Sequence, residues 1–250
     1  MRLHLRKLSR FLLASSILAI SLSPINAGAL STFKVSESKV WGHTYAGKSQ
    51  GVPSTRPPKV AHVEAKARFV VNYKNFPEWA KKDFQAAVDI WSQYFSSVVP
   101  IKIDATFGRS ASYGVLGSAR PGNYFSGFDG APDQSLWYPS ALANALAGKD
   151  LEPENPEMII QVNSAANWNT RNDGTPKSTE YDLQSVFLHE IAHGLGFLST
   201  DSYDPFFGYG TIEQPTPYAA YAQLPDGRRL SDLPSPSLEL GKALTSQLVW

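Results

Sequence analysis

The sequence predicts an α+β fold, in which strands of period two and helices of period 3.6 follow one another along the first two hundred residues. Three observations carry this. Apolar residues alternate in several short runs, two longer runs repeat at helical spacing, and Gly and Pro separate them. Residues 66–73 partly alternate through Ala67, Phe69, Val71 and Tyr73, which predicts a strand. Pro77 then opens a helix whose Ala80, Phe84, Ala87, Val88, Trp91 and Phe95 form one apolar stripe. After Pro100 the residues Ile101, Ile103, Ala105 and Phe107 alternate again, and residues 113–119 supply a third strand. Residues 122–148 mix Gly, Pro and aromatics around a short helix at 140–147, and the apolar run 158–162 is a further strand. A turn at Asn172-Asp173-Gly174 leads into a helix from Asp182, which Gly194 and Gly196 are placed to end. The remainder is irregular until residues 238–250, and no internal repeat is present.

Composition sets the compartment and excludes some partners. Arg2, Arg6, Lys7 and Arg10 precede an apolar run at 11–22 and the triplet Ala27-Gly28-Ala29, the pattern of a secretory signal peptide over residues 1–29 cleaved after Ala29. The expected location is therefore secreted or periplasmic. Without those four basic residues, 19 Lys and Arg face 22 Asp and Glu, so no basic surface is expected for nucleic acid. The apolar run is too short to span a bilayer, so no membrane association is expected after cleavage. There is no cysteine, which removes disulfides and thiolate ligands alike. Residues 30–65, rich in Ser, Thr, Gly and Pro, read as an extended N-terminal segment. Residues 66–200 read as the main domain, and 201–250 as an irregular C-terminal subdomain, expected to be short or truncated.

The stretch His189-Glu190-Ile191-Ala192-His193-Gly194-Leu195-Gly196-Phe197 carries the chemistry. Positions i and i+4 share a helix face, so His189 and His193 can grip one zinc ion while Glu190 stands beside it as a general base. Leu183, Val186, Phe187, Leu188, Ile191, Ala192 and Leu195 surround them, which predicts a buried helix with a polar stripe of Asp182, Ser185, His189 and His193. The structural alternative is a pair of hydrogen-bonded core histidines.

With the motif and element order in view, the chain resembles the zincin metallopeptidases. Its His193-Gly194-Leu195-Gly196 extension is similar to the metzincin consensus H-E-x-x-H-x-x-G-x-x-H, with Gly196 on the consensus glycine. Residues 84–101 and 163–168 also resemble parts of uncharacterised secreted bacterial proteins that carry the same helix. The resemblance implies a twisted mixed sheet packed on two long helices. It also implies a third zinc ligand delivered after the glycine, and a substrate-pairing edge strand, for which 158–162 is a candidate, with a plain core strand as the equal alternative. Two departures stand out. Ser199 occupies the third histidine's place, and the only methionines are Met1 and Met158, so no Met-turn follows. Asp201 is the expected third ligand, with Glu213 and Asp204 as alternatives.

The expected function is a secreted zinc metalloendopeptidase acting on a peptide or protein substrate, with Glu190 taking the proton of a zinc-activated water. Because His189 and His193 must be neutral to bind, activity is expected to fall below about pH 6. The alternatives are a metal-binding protein without hydrolysis and a cell-surface binding module with structural histidines. Asp129-Gly130 and Asp173-Gly174 are candidate calcium loops, with plain turns as the simpler explanation. The sequence leaves the oligomeric state open.

Overall fold

A computed structural model describes residues 33–47, 51–52 and 66–246. The expected signal peptide, its cleavage point at Ala29 and part of the N-terminal segment lie outside the described residues. The chain runs β1 (Lys34–Glu37), β2 (Gly42–Tyr45), β3 (Phe69–Lys74), α1 (Glu78–Tyr94), β4 (Ile101–Gly108), β5 (Val115–Pro121), β6 (Asn123–Ser126), β7 (Tyr138–Pro139), α2 (Ser140–Ala147), β8 (Met158–Asn163) and α3 (Leu183–Leu195). It ends with β9 (Ser202–Tyr203), β10 (Gly210–Thr211), α4 (Pro217–Ala220) and α5 (Leu238–Leu244). This is a mixed α+β protein.

Five strands form the main sheet in the order β2-β5-β8-β4-β3. β3, β4 and β8 run parallel, while β5 and β2 are antiparallel to their neighbours. The parallel pair β3 and β4 needs a crossover, which α1 supplies. Alternation in β4 buries Ile101, Ile103, Ala105 and Phe107, and β8 buries Met158, Ile160 and Val162. These pack in one core with Phe84 and Val88 of α1 and with Leu183, Phe187 and Ile191 of α3. The rings of Phe84 and Phe187 meet at 4.5 Å between centroids, and Trp91 Nε1 donates to the Leu188 carbonyl at 3.1 Å, so α1 and α3 are joined directly.

The structure corrects two readings of the sequence. The run at 158–162, open between an edge strand and a core strand, is β8, and it lies between β4 and β5 with both sides paired, which removes the edge reading. A short apolar run has the same appearance in a central strand as at an edge. Gly194 does not end α3. A Cβ there would stand 2.6 Å from Met158 Sδ, so its bareness lets the helix settle on β8, and Gly196, at φ +120°, makes the turn.

The segment read as merely extended contributes two strands among its described residues. β1 pairs with β6 in a three-stranded sheet β1-β6-β7, and β2 joins the main sheet beside β5. A second small core forms around Phe125, Phe128, Tyr138 and Ala143, and a third around Leu230, Leu233, Leu240 and Ala243. Among the described residues no helix is long and apolar enough to cross a membrane.

Candidate functional site

The motif helix is set by its cap. Asp182 stands in extended conformation and its carboxylate accepts from the Ser185 amide at 2.9 Å, which fixes where α3 begins. Leu183, Val186, Phe187, Ile191 and Gly194 then face the core, and Glu190 is buried on that side with them. His189 is exposed and His193 half-buried, so the histidines lie at the rim of the buried face.

The two imidazoles stand at right angles with 4.5 Å between centroids, and their Nε2 atoms are 2.8 Å apart. His193 Nδ1 lies 2.8 Å from the Phe197 carbonyl oxygen. A carbonyl only accepts, so the His193 proton sits on Nδ1 and its Nε2 presents a lone pair. Between that lone pair and His189 Nε2 there is room for a shared proton, or for a cation if the rings part slightly. Partial desolvation of the His189 ring, and secondarily the neighbouring His193, hold its pKa below the usual imidazole value, which favours a neutral ring.

Glu190 is fully buried, and its two oxygens differ. Oε1 accepts from Thr44 Oγ1 at 2.6 Å and from the Thr44 amide at 3.1 Å, whereas Oε2 is buried with no hydrogen-bond partner among the described residues. Desolvation pushes its pKa up to about 7, against the opposing effect of the two Thr44 bonds.

Two glycines let the sheet come this close. A Cβ on Gly42 would stand 2.2 Å from His193 Cδ2, and one on Gly117 would stand 2.9 Å from Glu190 Oε1. Bare backbone from β2 and β5 thus lines the functional face of α3. Alternation puts His43 on the opposite face of β2, where its Nδ1 meets Ser118 Oγ at 2.8 Å. Thr44, Gly42 and Gly117 were not legible as site residues. Gly42 and Gly117 carry only the signal of glycine within strand-like sequence, and Thr44 carries none.

The candidate third ligands do not join the histidines. Among the described residues no group of three or more His, Cys, Asp and Glu could hold a metal ion. Asp201 lies in the irregular stretch between α3 and β9, where its amide donates to Ser199 Oγ at 3.0 Å, and both its carboxylate oxygens are buried without partners among the described residues. Burial raises its pKa above the usual aspartate value. Asp204 Oδ1 accepts from the Phe206 and Phe207 amides at 2.8 and 3.1 Å, and Glu213 is exposed. Beside the calcium candidate Asp173 the cationic place is taken by Arg171, whose Nε lies 3.1 Å from Asp173 and whose Nη2 lies 2.9 Å from Glu180.

The arrangement is a mixed-sheet α+β protein with a strand-clamped carboxylate beside a histidine pair. The chain belongs to the SPBPB7E8-like family, whose model matches residues 74–215, more than half of the sequence. No curated protein and no solved structure matches it. The resemblance to zincin and metzincin metallopeptidases is therefore corrected. The matching family is another one, and the described residues hold no metal-binding group. The physical reason is that i, i+4 spacing brings two histidines together on any helix. It specifies nothing about the loop that must supply the rest of a site.

Proposed function

We propose that this protein is an exported zinc-dependent hydrolase of peptide bonds, in which His189 and His193 hold the ion and Glu190 is the general base. The observation that carries the reading is the asymmetry of Glu190, a buried carboxylate with one oxygen fixed and the other free, one residue from the histidine pair. The donor set suits zinc, since His193 offers an Nε2 lone pair, converging with His189 Nε2. Asp201, whose two carboxylate oxygens are buried without a partner among the described residues, does not join the histidine pair, so no third protein ligand is proposed. Zinc, when bound, supplies Lewis-acid polarisation and a more acidic water.

Glu190 Oε2 takes a proton from the water that attacks the peptide carbonyl, and returns it to the amine nitrogen as the C–N bond breaks. Phe197, whose carbonyl orients His193, exposes its ring 6.2 Å from that of Tyr218, an apolar lip suited to a peptide side chain. A second reading, a binding module whose hydrogen-bonded histidines are structural, is favoured by the lack of a three-ligand group among the described residues.

Zinc content and casein cleavage by the purified protein and its Glu190→Gln variant separate the two. Cleavage lost in Glu190→Gln with zinc retained supports the hydrolase. One equivalent of zinc with no cleavage by either form supports binding alone. No zinc after reconstitution overturns the hydrolase and leaves the structural histidines.

A further inference from the structure

We infer that Thr44, on strand β2, is a positioning residue for Glu190, so that the N-terminal strand is a working part of the site. This rests on the hydrolase reading. Thr44 lies 146 residues from Glu190 in sequence and outside the family-matched residues 74–215. It nevertheless makes the two hydrogen bonds that the Glu190 carboxylate accepts among the described residues, one from a side chain and one from a backbone amide. Both fall on Oε1. The carboxylate therefore cannot swing about its last bond without giving up two donors in a buried setting, which leaves Oε2 as the oxygen without a partner among the described residues and the one assigned to proton transfer. The hydroxyl and the amide belong to one residue of a strand paired with β5, so the clamp is as rigid as the sheet edge. Gly42 on the same strand face leaves room for the His193 ring, and β2 thus touches two of the three motif side chains.

The test compares the purified protein with Thr44→Val, which keeps shape and amide but removes the hydroxyl, and with Thr44→Ser, which keeps the hydroxyl. Peptide hydrolysis, zinc stoichiometry and, in zinc-free protein, hydrogen exchange at the Thr44 amide are measured. The expectation for Thr44→Val is a kcat lowered about ten- to hundredfold, KM within about twofold and zinc retained, with Thr44→Ser near wild type. The Thr44 amide should exchange about tenfold faster or more in Glu190→Ala, since it loses a charge-assisted bond. Unchanged kcat in Thr44→Val overturns the inference, as does a loss that Thr44→Ser fails to restore, or an exchange rate indifferent to Glu190. If the zinc-loaded wild type cleaves nothing, the hydrolase reading itself fails and takes this role with it. A cleaving wild type with an unaffected Thr44→Val removes only the role of Thr44.

Discussion

Replacing Gly42 by Ala tests the closeness of strand and helix on which the site depends. The new Cβ would stand 2.2, 2.4 and 2.5 Å from Cδ2, Cγ and Nε2 of His193. Carbon atoms in contact prefer about 3.5–4.0 Å, so the ring must retreat by more than about 1 Å or the strand must lift. The ring has little freedom, because its Nδ1 is held at 2.8 Å to the Phe197 carbonyl and its Nε2 at 2.8 Å to His189. Moving it breaks one or both contacts, while lifting β2 strips Thr44 from Glu190. Overpacking of this kind costs about 1–3 kcal/mol. At about 2–4 °C per kcal/mol for a chain of this size, the zinc-free variant should melt about 2–12 °C below wild type. Zinc affinity, measured by competition with a chelator, should fall about tenfold or more, since a site tolerates only about 0.5 Å of displacement. Gly108→Ala is the control, because its Cβ would meet only Thr106 Cγ2 at 3.8 Å. A Gly42→Ala protein with the melting point and zinc affinity of wild type would refute the packing of β2 against His193.

Other parts of the structure give independent expectations. Phe187→Ala removes a fully buried ring packed on Phe84 and Phe76 and should destabilise by about 3–5 kcal/mol in denaturant titration; a loss below 1 kcal/mol would contradict the shared core. Asp182→Ala deletes the α3 cap and should cost about 0.5–2 kcal/mol, visible as faster amide exchange in the first turn of that helix. Hydrogen bonds from Arg171 hold the Glu180 pKa below its usual value, so this carboxylate stabilises the fold above the unfolded pKa of about 4.3 and loses that contribution as pH falls through the lower folded value. In Glu180→Gln the melting point should accordingly drop less between pH 5 and pH 3 than in wild type, and an unchanged acid profile would argue against the pair.

Elements whose signal is local were legible. The stripe from Ala80 to Trp91 became α1, the small-residue run Ser140–Ala147 became α2, and the alternation of Ile101, Ile103, Ala105 and Phe107 became one face of β4. The start of α3 at Asp182 followed from the apolar helical run that begins there after the turn at Asn172-Asp173-Gly174. Less was legible where a strand is brief or its partner distant. β6 and β7 span four and two residues in a Gly-, Pro- and aromatic-rich stretch, too short for a period to emerge. Gly194 looked like a helix stop because its sequence neighbours do not reveal that Met158 lies beneath it.

The sequence by itself determined the α+β class, the motif helix and the presence of His189, Glu190 and His193 on adjoining faces of one turn, because these depend on contacts three or four residues apart. Only the tertiary structure decided what surrounds them. It placed β8 inside the sheet, brought the featureless stretch Gly42–Tyr45 against α3, gave Thr44 to Glu190, and left Asp201 apart from the histidines. Such neighbours are chosen by sheet order and backbone clearance between segments more than a hundred residues apart, and no local pattern records that choice.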